Sequence, residues 1–168
     1  MLTGFQLRAA RACLSLHLED ISTKIGINKS TLTRLESITP NLVYINSTTR
    51  TSILIKNFYD NHGIIFPHYN SIRMIVNSNN QSNNEFNRFH FKISRVALRL
   101  SRKKLGHILN IPESTLTAWE HDGSFFDAVK PNNYDIKPII LYFKNLGITH
   151  PQFNTIELLE DPVEKINI

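Results

Sequence analysis

The sequence has 168 residues and a mass of 19.4 kDa, room for one ordinary domain or two very small ones. At 41% hydrophobic and 20% charged it can bury a core, and its net charge of +5 permits a polyanionic partner without demanding one. The single cysteine, Cys13, excludes an intrachain disulfide and a Cys-based zinc site, and no apolar run reaches the ~18–20 residues of a membrane span.

The N-terminal MLTGFQLRAARACLSL has no uninterrupted apolar stretch, so no signal peptide is expected and a reducing cytoplasm is the simplest compartment. Within it Phe5, Ala9, Ala12, Cys13 and Leu16 fall on one helical stripe. A second, short helix carries Ile21 and Ile25, with the small Ser22 between them, and ends at Gly26. A third starts at once, with Asn28 as N-cap and Thr31, Leu32 and Leu35 as its apolar stripe. A loop of about a dozen residues containing Leu42 and Ile45 follows. Thr51 then caps a fourth helix carrying Ile55, Phe58 and Tyr59, which Gly63 ends. Ile64 to Phe66 and Ile72 to Val76 flank Pro67, His68, Tyr69, Asn70 and Ser71, the pattern of a hairpin.

Residues 77–87, NSNNQSNNEFN, are six parts in eleven Asn, too polar to offset their ordering entropy, and read as a flexible linker. Beyond them the chain begins again. Shifted by 84 residues, positions 5–75 lie over 89–159 without a gap, with 17 identities in 71 positions and the unbroken run Ser30-Thr31-Leu32-Thr33 over Ser114-Thr115-Leu116-Thr117. The first stripe recurs as Phe89, Ile93, Val96, Ala97 and Leu100, and the second as Leu105 and Leu109 around Gly106, ending at Asn110. Pro112 opens the third helix, with Thr115, Leu116 and Trp119 inward. Phe126 and Val129 lie in the loop, and Asp135 caps the fourth helix, which carries Ile139, Tyr142 and Phe143 and ends at Gly147. Ile148 to His150 and Ile156 to Leu159 repeat the hairpin. A lone hairpin is marginal, so the two are expected to pair and bind the repeats into a pseudo-dimer. The expected organisation is mainly α: a first domain over 1–76, the linker 77–87, a second domain over 88–160, and a frayed acidic tail over 161–168.

Two short helices joined by a tight turn, the second polar on its outer face, form a helix-turn-helix. LEDISTKIGINKSTLTRLE, with Ile21, the Gly26-Ile27 turn, Leu32 and the closing Glu36, resembles the Xre/Cro family of phage-repressor-like DNA-binding domains, and TGFQLRAARACLSL is similar to that family's first helix. The resemblance extends over both repeats. It implies two tandem lambda-repressor-like domains of four to five helices and a sequence-specific, double-stranded-DNA-binding transcription regulator or repressor.

The family pattern puts Lys29, Ser30, Thr33 and Arg34 on the exposed face of the reading helix, where Lys or Arg can donate to guanine and Ser or Thr adapt, and Asn28 beside a phosphate. The second repeat offers Ser114 and Thr117 there, with Glu113 and Ala118 in place of Lys29 and Arg34. Arg102, Lys103 and Lys104 crowd a helix start, where cations oppose the helix dipole, and are expected to grip phosphates, with Lys92, Arg95 and Arg99 extending the basic surface. The first repeat thus reads as base reader and the second as phosphate clamp. The runner-up is a protein-binding regulator, an anti-activator or antitoxin-like partner, to which Glu113, Ala118, Phe125 and Phe126 point. Seven scattered histidines give no metal-ligand spacing, and no catalytic motif appears, so neither cofactor nor enzyme activity is expected. The oligomeric state is left open.

Overall fold

The computed structural model describes residues 1–76, 85–121, 123–129 and 134–159. Among these, eight helices and four strands run in the order α1 (Gly4–Cys13), α2 (Leu18–Ile25), α3 (Lys29–Glu36), α4 (Thr49–Asn61), β1 (Ile64–Ile65), β2 (Ser71–Met74), α5 (Arg88–Ala97), α6 (Arg102–Leu109), α7 (Glu113–His121), α8 (Lys137–Asn145), β3 (Ile148–Gln152) and β4 (Thr155–Leu158). The second six repeat the first six in kind and order, as the 84-residue offset requires.

Local chemistry sets each boundary. Thr3 caps α1 by accepting from Gln6 N at 3.2 Å, and Gln6 Oε1 accepts from Thr3 N at 3.0 Å. Asn87 and His90 do the same at α5, with His90 Nδ1 in the part of the amide oxygen. Gly26 at φ 66° and Asn110 at φ 54° take the left-handed turn after α2 and α6. Gly106 is a glycine for a different reason: a Cβ there would lie 2.5 Å from the Ile111 carbonyl oxygen, so the turn can close on α6 only without a side chain. The fourth helix starts earlier than expected. Thr48, not Thr51, is its cap and accepts from Thr51 N at 3.2 Å.

The sheet order is β1-β2-β4-β3, with every neighbour antiparallel, so the two hairpins join through β2 and β4 as the marginal stability of either alone suggested. Ile72 faces Ile156, its own counterpart in the second repeat. Around that pair the bonds come in matched sets. Met74 N donates to Asn154 O at 3.0 Å and Leu158 N to Asn70 O at 2.9 Å. The Asn70 and Asn154 side chains donate to Leu158 O and Met74 O at 3.1 and 2.6 Å. A pseudo-twofold axis therefore passes between Ile72 and Ile156. Across it α1 packs against α5, its counterpart in the second repeat.

One continuous core results, in which Phe5, Ile55, Ile72, Phe89, Phe91, Phe143 and Ile156 are all buried. Of the expected linker, residues 77–84 lie outside the described residues, whereas Asn87 is the buried cap of α5 and Phe86 stacks on Phe143. The expected tail over 161–168 also lies outside them.

Candidate nucleic-acid interface

In the first repeat α2 and α3 meet at the left-handed Gly26. Asn28 Oδ1 then accepts from Ser30 N and from Ser30 Oγ, both at 2.9 Å, which starts α3. Leu32, Leu35 and Glu36 face inward and are buried; Lys29, Ser30, Thr33 and Arg34 are exposed along the other side. The four are not equally available. Lys29 Nζ lies 2.7 Å from Glu19 Oε2 in an exposed pair that a polyanion can compete away at little cost, since such pairs are worth ~0–1 kcal/mol. The Thr33 hydroxyl already donates to Lys29 O at 2.9 Å. Arg34 makes no ion pair among the described residues.

In the second repeat Glu113 and Ser114 are exposed, Thr117 and Ala118 half-buried, and Thr117 Oγ1 donates to Glu113 O at 2.9 Å. Leu116, Trp119 and Glu120 are the buried side of α7. Lys103 and Lys104 are exposed at the start of α6.

Arg102 is different, and so is most of the basic surface expected on the first helix. Arg102 Nη1 lies 2.7 Å from Oε2 of Glu120, whose side chain is fully buried. Arg95 clasps the same carboxylate, with Nη2 2.9 Å from Oε2, and its Nη1 donates to Leu100 O at 2.7 Å. A positive charge at this helix start is thus repaid by a buried anion, the stabilisation that the dipole argument lacked. Lys92 Nζ donates to Ser15 Oγ at 2.6 Å and sits 5.5 Å over the Phe125 ring; partial burial pushes its pKa below the usual lysine range. Arg99 Nη2 donates to Glu36 O at 3.0 Å and Ile38 O at 3.2 Å, across the pseudo-twofold. Arg95 is therefore buried on a carboxylate, while the half-buried Lys92 and the exposed Arg99 are each bonded to groups of the first repeat.

The first repeat has the matching clasp. Arg11 holds Glu36 through two bonds of 2.8 and 2.9 Å, and its pKa is raised chiefly by the Glu36 hydrogen bond. Each clasp anchors the end of α3 or α7 to the first helix of its repeat and so sets the angle at which the polar face is presented. The signal was in the sequence: Arg11 over Arg95 and Glu36 over Glu120 are among the identical pairs at the 84-residue offset. Arg8 adds a link that no spacing announced. Buried in α1, it donates from Nε to Ala97 O at 2.9 Å and bonds Glu36 O and the Asn41 side chain. The end of α3 is thus tied to α5 by two arginines.

Phe125 and Phe126 point away from the surface role suggested for them: Phe126 is buried, and both rings pack on Phe89 at 5.4 and 5.6 Å. Cys13 is buried and its thiol pKa pushed up by burial, consistent with a small hydrophobe. No protein-family model matches the chain, and neither does any curated protein or solved structure.

Proposed function

We propose that the chain is a sequence-specific, double-stranded-DNA-binding transcription regulator, built as two tandem helix-turn-helix units that stand in for the two subunits of an Xre/Cro-type repressor dimer. The observation that carries this is the polar face of α3: Lys29, Ser30 and Arg34 exposed at and beyond its N-terminus, directly after a left-handed turn, on a helix whose other side is buried. An α-helix fits the B-DNA major groove, and residues of its first turns meet base edges. The pseudo-twofold through Ile72 and Ile156 supports a two-part site, as in dimers that read half-sites about one helical turn apart. Because α7 offers Glu113 and Ala118 where α3 has Lys29 and Arg34, the site is asymmetric, with base reading concentrated on α3 and phosphate contact at Lys103 and Lys104.

Selection of bound duplexes from a random DNA pool tests this. The expected product is one consensus with two unequal halves. Arg34→Ala should weaken binding to it by about 1–3 kcal/mol and relax preference at one base pair. No enrichment at low salt, or an Arg34→Ala protein with unaltered affinity and consensus, rejects the reading.

A further inference from the structure

The first repeat has an open cleft of about 550 Å³ between the hairpin turn, α4 and the loop before it. That is within the ~300–1,000 Å³ of small-molecule sites. None of its lining residues belongs to α2 or α3. Leu2 and Ile45, both buried, form its floor, and Tyr44, Ile53 and Tyr69, each about half exposed, form its rim. The Tyr44 and Tyr69 rings stand edge-on to each other at 6.3 Å. Lys56 reaches the same lining, with Asp60 accepting one of the three N–H bonds of its ammonium.

The second repeat is an internal control. Its backbone repeats the same elements, yet Tyr44, Ile53 and Lys56 are replaced by Ala128, Lys137 and Ile140. Phe153, in the place of Tyr69, packs on Phe126 at 5.6 Å, and Phe86, in the place of Leu2, stacks on Phe143. The cleft there measures about 310 Å³ and is lined by Phe86, His90, Ile140 and His150 among others. That cleft keeps a lysine, Lys144, at the position of Asp60, but has no exposed aromatic rim, so the fold does not need the rim. A contiguous apolar rim left in water around a concave site marks a binding surface.

We propose that this cleft binds a small, flat aromatic acid, its ring against Tyr44 and Tyr69 and its carboxylate on Lys56. Two ring faces and edges favour an aromatic body over an alkyl one. Lys56 is the one lysine or arginine of the lining; it is ion-paired with Asp60 and keeps two N–H donors for a carboxylate, which an amide's oxygen would accept more weakly.

Titration of the full chain with 2-naphthoate, followed by amide ¹H–¹⁵N correlation spectra, tests this without DNA. The uncharged 2-naphthamide serves as control. Expected are saturable shifts at Tyr44, Ile53 and Tyr69 at millimolar acid, with the acid bound about tenfold tighter than the amide. Tyr44→Ala, which installs the second repeat's residue at a half-exposed position, should abolish saturation. Lys56→Gln, also at the surface, should erase the acid's advantage. No saturable shift at those amides, equal affinity for acid and amide, or unchanged binding by Tyr44→Ala overturns the proposal.

Discussion

Ile72 and Ile156 lie directly opposite each other in neighbouring antiparallel strands, both fully buried, and each is the other's counterpart at the 84-residue offset. Each hairpin therefore completes itself on the other, and the sheet ties the two repeats into one cooperative body. Ile72→Ala should cost about 2–4 kcal/mol of unfolding free energy, the range for truncating a fully buried aliphatic side chain. Urea denaturation should show one transition with a lower midpoint. A loss under about 0.5 kcal/mol, the level of an ordinary surface change, would mean that the strands do not hold the repeats together.

The two Arg–Glu clasps are unequal. Glu120 is shared by Arg95 and Arg102 and is fully buried, whereas Glu36 serves Arg11, whose side chain is 23% exposed. Removing one partner of a buried pair leaves the other charge uncompensated. Glu120→Gln should therefore destabilise by about 3 kcal/mol and Glu36→Gln by about 1–2 kcal/mol. Chemical denaturation of the two variants side by side checks the order; equal losses, or a larger one at Glu36, contradict it.

Acid should unfold the second repeat's end of the sheet first. The His90 and His150 rings lie 4.5 Å apart, tilted by 40°; burial lowers the His90 pKa to about 4, and burial together with His90 lowers His150 to about 3. Above about pH 6.5 both are neutral folded and unfolded, so stability does not depend on them. Below it the unfolded chain binds protons that the folded chain refuses. Stability then falls as pH drops from about 6.5 towards the folded values, by up to about 1.4 kcal/mol per pH unit for each histidine. His90→Gln should remove one share of that slope and keep the fold. Gln6 already performs the same task in the first repeat, accepting from Thr3 N and donating to His68 O. Unfolding midpoints at pH 7 and pH 5 read the difference, and an identical acid slope in the variant refutes the assignment.

The basic cluster at the start of α6 should separate into two kinds of residue. Lys103→Gln with Lys104→Gln should reduce the salt dependence of DNA binding by about 0.9 log unit per lost phosphate contact and leave stability unchanged. Arg102→Gln should lower stability through Glu120 and leave the salt slope as it was. Both quantities come from paired melts and salt titrations. If Arg102→Gln alone flattens the slope, its charge faces DNA and not Glu120.

Arg99 should matter to α3 although it belongs to the other repeat. Its bonds to Glu36 O and Ile38 O are part-buried and exposed, so Arg99→Gln should cost about 0.5–1.5 kcal/mol locally. Faster amide hydrogen exchange confined to Ser37 through Asn41, with global stability nearly kept, is the expected signature. Unaltered exchange there would show that the bond does no holding.

The order of residues along the chain was enough for the repeat, the helices, the left-handed turns at Gly26 and Asn110, the cap at Asn28, and the hairpins; at the last helix the cap is Ile136, and Asp135 stands one residue before it, accepting from Lys137 N at 2.9 Å. Each of these depends on contacts within a few residues, where spacing and side-chain type settle the outcome. The fourth helix misled by three residues because Thr48 and Thr51 are both competent caps. The destinations of the cations were another matter. Lys92, Arg95, Arg99 and Arg102 look alike on a helical wheel as solvated charges, and Arg8 gives no local hint of burial. Their partners lie 18 to 89 residues away, at Glu120, Ser15, Glu36 and Ala97. Only folding brings a carboxylate or a helix-end carbonyl within hydrogen-bond reach of a guanidinium, and a charge is visible in sequence while its partner is not.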